Sequence, residues 1–125
     1  MSTSYFTLKK LGGSKYKTPG SSLQKMTALL KSTNENGSFQ FQIAKGKKNS
    51  VFHIEVKGKT AKLYNEKTDH PTFEMITGEE TWLEMVSGKL SPLKAFLLNK
   101  IRVRGDVEAG QRFLKQFAGP EKNSK

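Results

Sequence analysis

The protein has 125 residues, of which 22 are lysine or arginine, 11 are aspartate or glutamate and none is cysteine. This length fits one domain with a substantial core, and the absence of cysteine excludes a disulfide scaffold, a thiolate zinc site, an iron–sulfur cluster and a cysteine nucleophile. The net charge of +11 indicates a nucleic acid, an anionic membrane or an anionic ligand as partner, or else simply a surface solvated by lysine. The sequence has no apolar run long enough for a membrane span or a secretion signal.

The N-terminal segment, residues 1–20, is rich in serine, threonine, glycine and lysine and contains no acidic residue. Gly12-Gly13 and Pro19-Gly20 interrupt any regular structure, so we interpret the segment as a basic arm that is either flexible or docked on the domain. Its composition is also typical of a mitochondrial presequence, although it has no arginine. We expect the domain proper to span residues 21–118 and a polar tail to follow over residues 119–125.

A short helix is predicted next, capped by Ser22 and carrying Leu23, Met26 and two further leucines on one buried face. Three strands of alternating apolar and polar residues follow it, over residues 38–43, 51–56 and 60–64. Because short charged turns connect these strands, we predict an antiparallel meander. In the second strand, His53 and Glu55 are expected on the solvent face.

The second half of the chain continues with a fourth strand over residues 72–77. It leads into a helix at Thr77-Gly78-Glu79-Glu80, a sequence typical of a capping box. The next helix starts at Ser91-Pro92 and is so short and so apolar, as far as Leu98, that we expect it to be buried on two sides. The last predicted elements are a strand over residues 101–104 and a helix from Asp106 to Gly119-Pro120.

Residues suited to catalysis are scarce. Neither His53 nor His70 has a nucleophile at a recognisable spacing, and two histidines without cysteine make a zinc site improbable. Glu79 and Glu80 stand at a helix start, where the helix dipole accounts for them. Gly58-Lys59-Thr60 is similar to the end of a phosphate-binding loop, but the first glycine is missing and the context is a hairpin. We therefore predict no enzyme, no metal and no cofactor.

The second half of the chain contains a specific motif, Ser87-Gly88-Lys89, followed by Pro92 and Ala95-Phe96 and then by a short basic strand that ends at Gly105. With this motif as its most specific part, the sequence from about residue 72 to 114 resembles the sterol carrier protein 2 family. The resemblance implies an α+β fold in which a five-stranded sheet, covered on one side by short helices, encloses a hydrophobic tunnel. It also implies that the protein binds or transfers a fatty acid, a fatty acyl-CoA, a sterol or a phospholipid without catalysis.

The resemblance further implies a set of lipid-binding residues. These are Phe73, Met75, Trp82, Met85, Val86, Leu90, Leu93, Phe96, Leu97, Ile101, Val103, Gln111, Leu114 and Phe117. Lysines near the tunnel mouth, together with Arg102 and Arg104, are candidates for attracting a carboxylate, a CoA phosphate or an anionic membrane. Asn99 stands where the family often has glycine, which predicts an altered turn before the last strand.

Two other functions stay open, namely a basic nucleic-acid-binding domain and an accessory domain of a lipid-metabolising enzyme. The first rests on charge alone, because the aromatic residues fall at buried positions. We therefore expect a monomer that meets an anionic membrane transiently and binds no nucleic acid. The terminal Asn123-Ser124-Lys125 is one residue short of the Ser-Lys-Leu peroxisomal address, so the expected compartment is cytoplasmic or peroxisomal, with a mitochondrial one left open.

Overall fold

A computed structural model describes residues 7–8, 11, 18–30 and 36–117. Its elements in chain order are α1 (Pro19–Leu29), β1 (Gly37–Lys45), β2 (Lys48–Lys57), β3 (Thr60–Tyr64), β4 (Phe73–Gly78), α2 (Glu79–Val86), α3 (Pro92–Leu97), β5 (Ile101–Gly105) and α4 (Val107–Lys115). The strands form one sheet in the order β3-β2-β1-β4-β5. β1 and β4 are parallel, and the other three neighbouring pairs are antiparallel. The predicted α+β fold and the meander of the first three strands are therefore confirmed.

The core lies between the helices and one face of the sheet, which we call the inner face and which carries Phe39 and Phe41 of β1. Both side chains are fully buried. The ring of Phe113 from α4 stacks on Phe39 at a centroid distance of 4.2 Å, and Trp82 from α2 lies 5.2 Å from Phe41. Aromatic contacts of this kind join α2 and α4 to the central strand. None of the helices in residues 18–30 and 36–117 is long and apolar enough to cross a membrane.

The opposite face of the sheet, the outer face, is crossed by the loop between β3 and β4. The main-chain N–H of Thr68 in this loop donates a hydrogen bond to Gln40 Oε1 at 2.7 Å. The carbonyl oxygen of Glu66 lies 2.7 Å from His53 Nδ1. His53 is thus on the predicted face, but its expected exposure to solvent is wrong, because the loop reduces it to 6%.

The predicted N-terminal arm is described only in part. Leu8 and Leu11 are buried in the same core as the sheet residues. Pro19 already belongs to α1, because a proline is favourable at the first position of a helix. The other residues of the arm, and the predicted polar tail 119–125, lie outside the described residues.

Two predicted helix caps are wrong. Thr18 caps α1 in place of Ser22, and the Ser22 hydroxyl accepts a hydrogen bond from Trp82 Nε1 at 2.8 Å. The Thr77 hydroxyl does not cap α2 but donates to the carbonyl oxygen of Lys100 at 3.0 Å. Both hydroxyls thus form hydrogen bonds with groups that are distant in sequence, and a local capping pattern cannot predict such partners.

A buried carboxylate organises the outer face of β4. Glu74 is 6% exposed and accepts hydrogen bonds from Gln40 Nε2 at 2.9 Å, from Gln42 Nε2 and from Arg104 Nη2 at 2.9 Å. Burial raises the pKa of this carboxyl group, but the hydrogen bonds from Gln42 and Gln40 and the charge of Arg104 outweigh it. As a result, the pKa lies below the ordinary value of 4.5.

We expect this carboxylate to make stability depend on pH. Because the pKa of Glu74 is lower in the folded chain than in the unfolded chain, its stabilising contribution is complete above the ordinary pKa of 4.5 and is lost as the pH falls through the lowered value. Glu74→Gln should lower the free energy of unfolding at neutral pH by about 1 kcal/mol. The same variant should also show a weaker loss of stability in acid.

Urea unfolding at neutral and acidic pH measures both effects of the Glu74 substitution. Glu66→Gln is the matched control, because Glu66 is exposed in the loop. This control should stay within about 0.5 kcal/mol of the wild type at neutral pH. Equal losses in the two variants would contradict the assignment.

Candidate functional site

A cavity of about 610 Å³ lies between the inner face of the sheet and two helices. β4 and β5 contribute Phe73, Met75, Ile101 and Val103, α3 contributes Pro92, Leu93 and Phe96, and α4 contributes Val107, Glu108, Gln111, Arg112, Leu114 and Lys115. All four polar residues of this set belong to α4, and all four are exposed. The cavity is therefore apolar inside and opens to solvent along α4.

The strand register assembles the sheet side of the cavity. Residues that face each other across an antiparallel pair share one face of the sheet. Met75 pairs with Val103, and Thr77 pairs with Ile101. Phe73 lies two residues before Met75 and so shares its face. The alternation of apolar residues along two separate strands thus becomes one continuous apolar surface.

α3 is placed against the cavity by its first turn. The Ser91 hydroxyl accepts a hydrogen bond from the Lys94 main-chain N–H at 3.0 Å, and Pro92 fills the first helical position. Leu93 and Phe96 are three residues apart, which places them on one side of a helix. Both line the cavity.

The predicted burial of α3 on two sides is wrong. Its buried residues are Pro92 and Ala95. Phe96, Leu97 and the following Leu98 are 47%, 56% and 52% exposed. The helix packs on β5, which is an edge strand of the sheet. Three large apolar side chains in succession are therefore left in solvent.

Gly110 allows α4 to lie directly on the ring of Phe73. A Cβ atom at position 110 would be 2.2 Å from Phe73 Cδ1, well inside the contact distance of any two carbon atoms. Phe73 is 2% exposed, and its ring also belongs to the cavity wall. The packing of α4 and the volume of the cavity therefore depend on the same ring.

Eight of the fourteen predicted lipid-binding residues line the cavity. They are Phe73, Met75, Leu93, Phe96, Ile101, Val103, Gln111 and Leu114. Of the other six, Trp82, Met85, Val86 and Phe117 are at most 1% exposed in the core, Leu90 packs against that core, and Leu97 is exposed. Trp82, Met85 and Val86 belong to α2, which packs on β1, β4 and α1. A role for these six in lipid contact stays a prediction.

Five cavity residues are absent from the predicted set, namely Pro92, Val107, Glu108, Arg112 and Lys115. The spacing of the charged residues along the last helix could have predicted that they lie at the cavity. Glu108, Arg112 and Lys115 recur at intervals of four and three, so they share one side of the helix. That side adjoins the apolar face which packs on the sheet, and it is therefore where a mouth would form.

Arg102 and Arg104 do not line the cavity, and their attraction of an anionic group stays a prediction. Their partners in the register are Ile76 and Glu74, on the outer face. Arg104 also forms an ion pair with Glu74 at 2.9 Å. Alternate residues of a strand face opposite sides, so the apolar side chains of β5 enter the cavity and its arginines do not.

The described residues contain no group of three or more histidine, aspartate or glutamate side chains that could hold a metal ion. Every buried side-chain nitrogen or oxygen in that part of the chain has a hydrogen-bond partner. The chemistry available at the cavity is therefore apolar contact inside it and charge at its mouth.

Comparison with known proteins identifies the same architecture. The model of the SCP-2 sterol transfer family matches residues 21–117. The palmitated SCP2L2 from Aedes aegypti is similar with a TM-score of 0.68 and 14% identity, over 85% of this chain and 99% of that one. The sterol carrier protein domain 2 of Helicoverpa armigera gives a TM-score of 0.66 and 21% identity, over 90% and 98%.

An enzyme contains a similar fold as a small part of its length. The stereoselective inverting sec-alkylsulfatase Pisa1 from Pseudomonas sp. matches with a TM-score of 0.61 and 10% identity. The match covers 74% of this chain but 14% of the enzyme. At these identities the solved structures show the fold, and the predicted sheet with short helices on its inner face is confirmed.

Proposed function

Since this chain belongs to the SCP-2 sterol transfer family, we propose that it carries one lipid with an anionic head in the cavity between the sheet, α3 and α4, and that it does so without catalysis. The observation that carries the proposal is an apolar cavity of about 610 Å³ with charged residues along one opening. This volume falls within the range of about 300–1,000 Å³ of ligand pockets.

The apolar interior favours an acyl chain as the buried part of the ligand. Burial of a chain of about twelve methylenes at about 0.8 kcal/mol each yields about 10 kcal/mol before ordering costs are subtracted. A gain of that size leaves useful affinity after the ligand and the side chains have been ordered. The palmitated state of the Aedes aegypti protein supports a fatty acid as one such ligand.

The charges at the mouth favour an anionic head. Arg112 and Lys115 lie on the cavity side of α4 together with one acidic residue, Glu108. Two cations can attract a carboxylate or a phosphate, whereas the single hydroxyl of a sterol offers no charge for them to bind. We therefore favour a fatty acid or a fatty acyl-CoA over a sterol.

Displacement of a fluorescent fatty acid, with mass spectrometry of lipid extracted from the purified protein, tests the proposal. Arg112→Gln/Lys115→Gln should weaken the binding of a fatty acid by about fivefold, because exposed ion pairs contribute about 0.5 kcal/mol each. The alcohol of the same chain length should bind both proteins equally.

Lys47→Gln/Lys48→Gln is the matched control for the charge change. Both lysines are exposed in the turn between β1 and β2 and are absent from the cavity lining. This variant should bind the fatty acid like the wild type. A wild-type protein that yields no lipid on extraction and displaces no probe at micromolar ligand would refute the proposal.

A second candidate is that the domain presents a lipid to an enzyme. The similarity to a small part of an alkylsulfatase supports it, because that enzyme contains the same fold beside other structure. Co-purification of this chain with an enzyme that acts on long-chain lipids would favour presentation, whereas transfer between vesicles by the isolated chain would favour a carrier.

A further inference from the structure

The end of α3 exposes a continuous apolar surface. The described residues include five large apolar side chains that are markedly exposed: Leu29, Phe96, Leu97, Leu98 and Val107. Three of these are consecutive, and we call Phe96–Leu98 the apolar tip. Single exposed apolar residues are ordinary on protein surfaces, whereas a contiguous group indicates a surface that meets a partner.

The apolar tip is an ordered turn. The main-chain N–H of Leu98 donates to the Lys94 carbonyl at 2.9 Å, and that of Lys100 donates to the Ala95 carbonyl at 2.8 Å. Asn99 between them has a φ of +61°, a left-handed conformation that asparagine tolerates. Asn99 thus supplies the left-handed residue of the turn before β5, and the buried Ala95 anchors the tip to the domain.

The sequence around the apolar tip carries charge of one sign. Residues 89–100 contain three lysines, at positions 89, 94 and 100, and no aspartate or glutamate. Lys94 and Lys100 stand on either side of the tip and are exposed. An exposed apolar surface bordered by lysines matches the interface of an anionic bilayer, where apolar side chains enter the acyl region and ammonium groups remain among the phosphates.

The apolar tip is continuous with the cavity. Phe96 lies in the tip and in the cavity wall, and Val107, which is 43% exposed, lines the same cavity from α4. A bilayer in contact with the tip would therefore lie beside a wall of the cavity. An acyl chain could then pass between bilayer and cavity with little exposure to water.

We propose that the apolar tip is a docking site for an anionic phospholipid bilayer, where the protein loads and unloads its lipid. The loading and unloading of lipid rest on the proposed lipid-carrying function, but the docking itself can be measured without any ligand. The tip enters the interface through Leu97 and Leu98, while Lys94 and Lys100 supply the preference for anionic lipid.

Sedimentation with phosphatidylcholine vesicles, prepared with and without phosphatidylserine, tests this docking. The wild type should bind the vesicles that contain phosphatidylserine, and high salt should weaken binding. Leu97→Ser/Leu98→Ser should reduce this binding by about tenfold or more, because the variant removes most of the inserted apolar surface. Leu29→Ser is a matched control on α1, with a similarly exposed leucine, and should bind as the wild type does.

A readout in solution separates the docking from lipid carriage. Leu98 does not line the cavity and is not among the predicted lipid-binding residues, so displacement of a fluorescent fatty acid should be the same in Leu98→Ser and the wild type. Transfer of that fatty acid between vesicles should fall together with vesicle binding.

The possible outcomes are distinct. Fatty-acid binding without vesicle binding, or vesicle binding that survives Leu97→Ser/Leu98→Ser, overturns the docking site and leaves the proposed function standing. Vesicle binding that needs the apolar tip, in a protein that displaces no fatty acid, supports the docking and refutes lipid carriage. A dimer in solution that the double variant abolishes, without vesicle binding by the wild type, assigns the tip to a second copy of the chain and overturns the proposal.

Discussion

Replacement of Val103 by tryptophan is expected to weaken fatty-acid binding by about fiftyfold in a chain that remains folded. Val103 is half-buried on β5, pairs with Met75 and lines the cavity. The added ring would occupy the space of about three ligand methylenes, and their loss at about 0.8 kcal/mol each amounts to about 2.4 kcal/mol. Displacement titrations with a fluorescent fatty acid measure the change, and thermal unfolding verifies that the variant is folded.

The chain offers a matched control for this substitution. Val51 is also half-buried, but it pairs with Gln42 on the outer face of the sheet. Val51→Trp should therefore keep the affinity of the wild type. Equal losses in the two variants would point to a general disturbance of the sheet, and no loss at Val103→Trp would show that the lipid does not occupy this cavity.

Gly110→Ala is expected to lower the free energy of unfolding by about 1–3 kcal/mol, the usual cost of an overfilled core. The new methyl group would fall 2.2 Å from Phe73 Cδ1, so α4 must move away from the sheet or the ring must turn into the cavity. The second response would also weaken fatty-acid binding. Urea unfolding and probe displacement on the same variant distinguish the two responses.

Gly20→Ala is the control for the change of residue type. Gly20 also lies in a helix, and a Cβ there would be 3.9 Å from the nearest atom of Phe52, an ordinary contact. This variant should be neutral or more stable by up to about 1 kcal/mol, because alanine favours helix.

A double-mutant cycle identifies the ring of Phe73 as the cause. If the clash explains the loss, Phe73→Leu should destabilise Gly110→Ala less than it destabilises the wild type. Equal costs of Phe73→Leu in both backgrounds would contradict this explanation.

The order and type of the elements could be read from short stretches of the chain. The alternation of apolar and polar residues in residues 38–43, 51–56 and 60–64 predicts three strands, and the short charged turns between them predict an antiparallel meander. The pattern from Ser87 to Phe96 was specific enough to indicate the family. These features depend on neighbours in sequence, and they agree with the observed elements.

The predictions that were wrong concern residues whose contacts come from a segment distant in sequence. His53 is buried because a loop crosses the outer face, and the hydroxyls of Ser22 and Thr77 bind groups that folding brings to them. The exposed end of α3 is the converse case, since Leu97 and Leu98 are apolar yet have no cover. Hydrophobicity predicts that a residue tends to be buried, but not which surface will bury it.

The amino-acid order alone was sufficient for the family, for the α+β fold and for the apolar character of the residues around the cavity. Only the tertiary structure determined which of those residues line the cavity. Trp82 is buried in the core, where its indole N–H donates to Ser22 of α1. Arg112 and Lys115 line the mouth of the cavity because α4 packs against the sheet there. The reason is that hydrophobicity is a property of each residue by itself. A cavity, in contrast, is formed by the strand register and the helix packing between segments that are far apart in the chain.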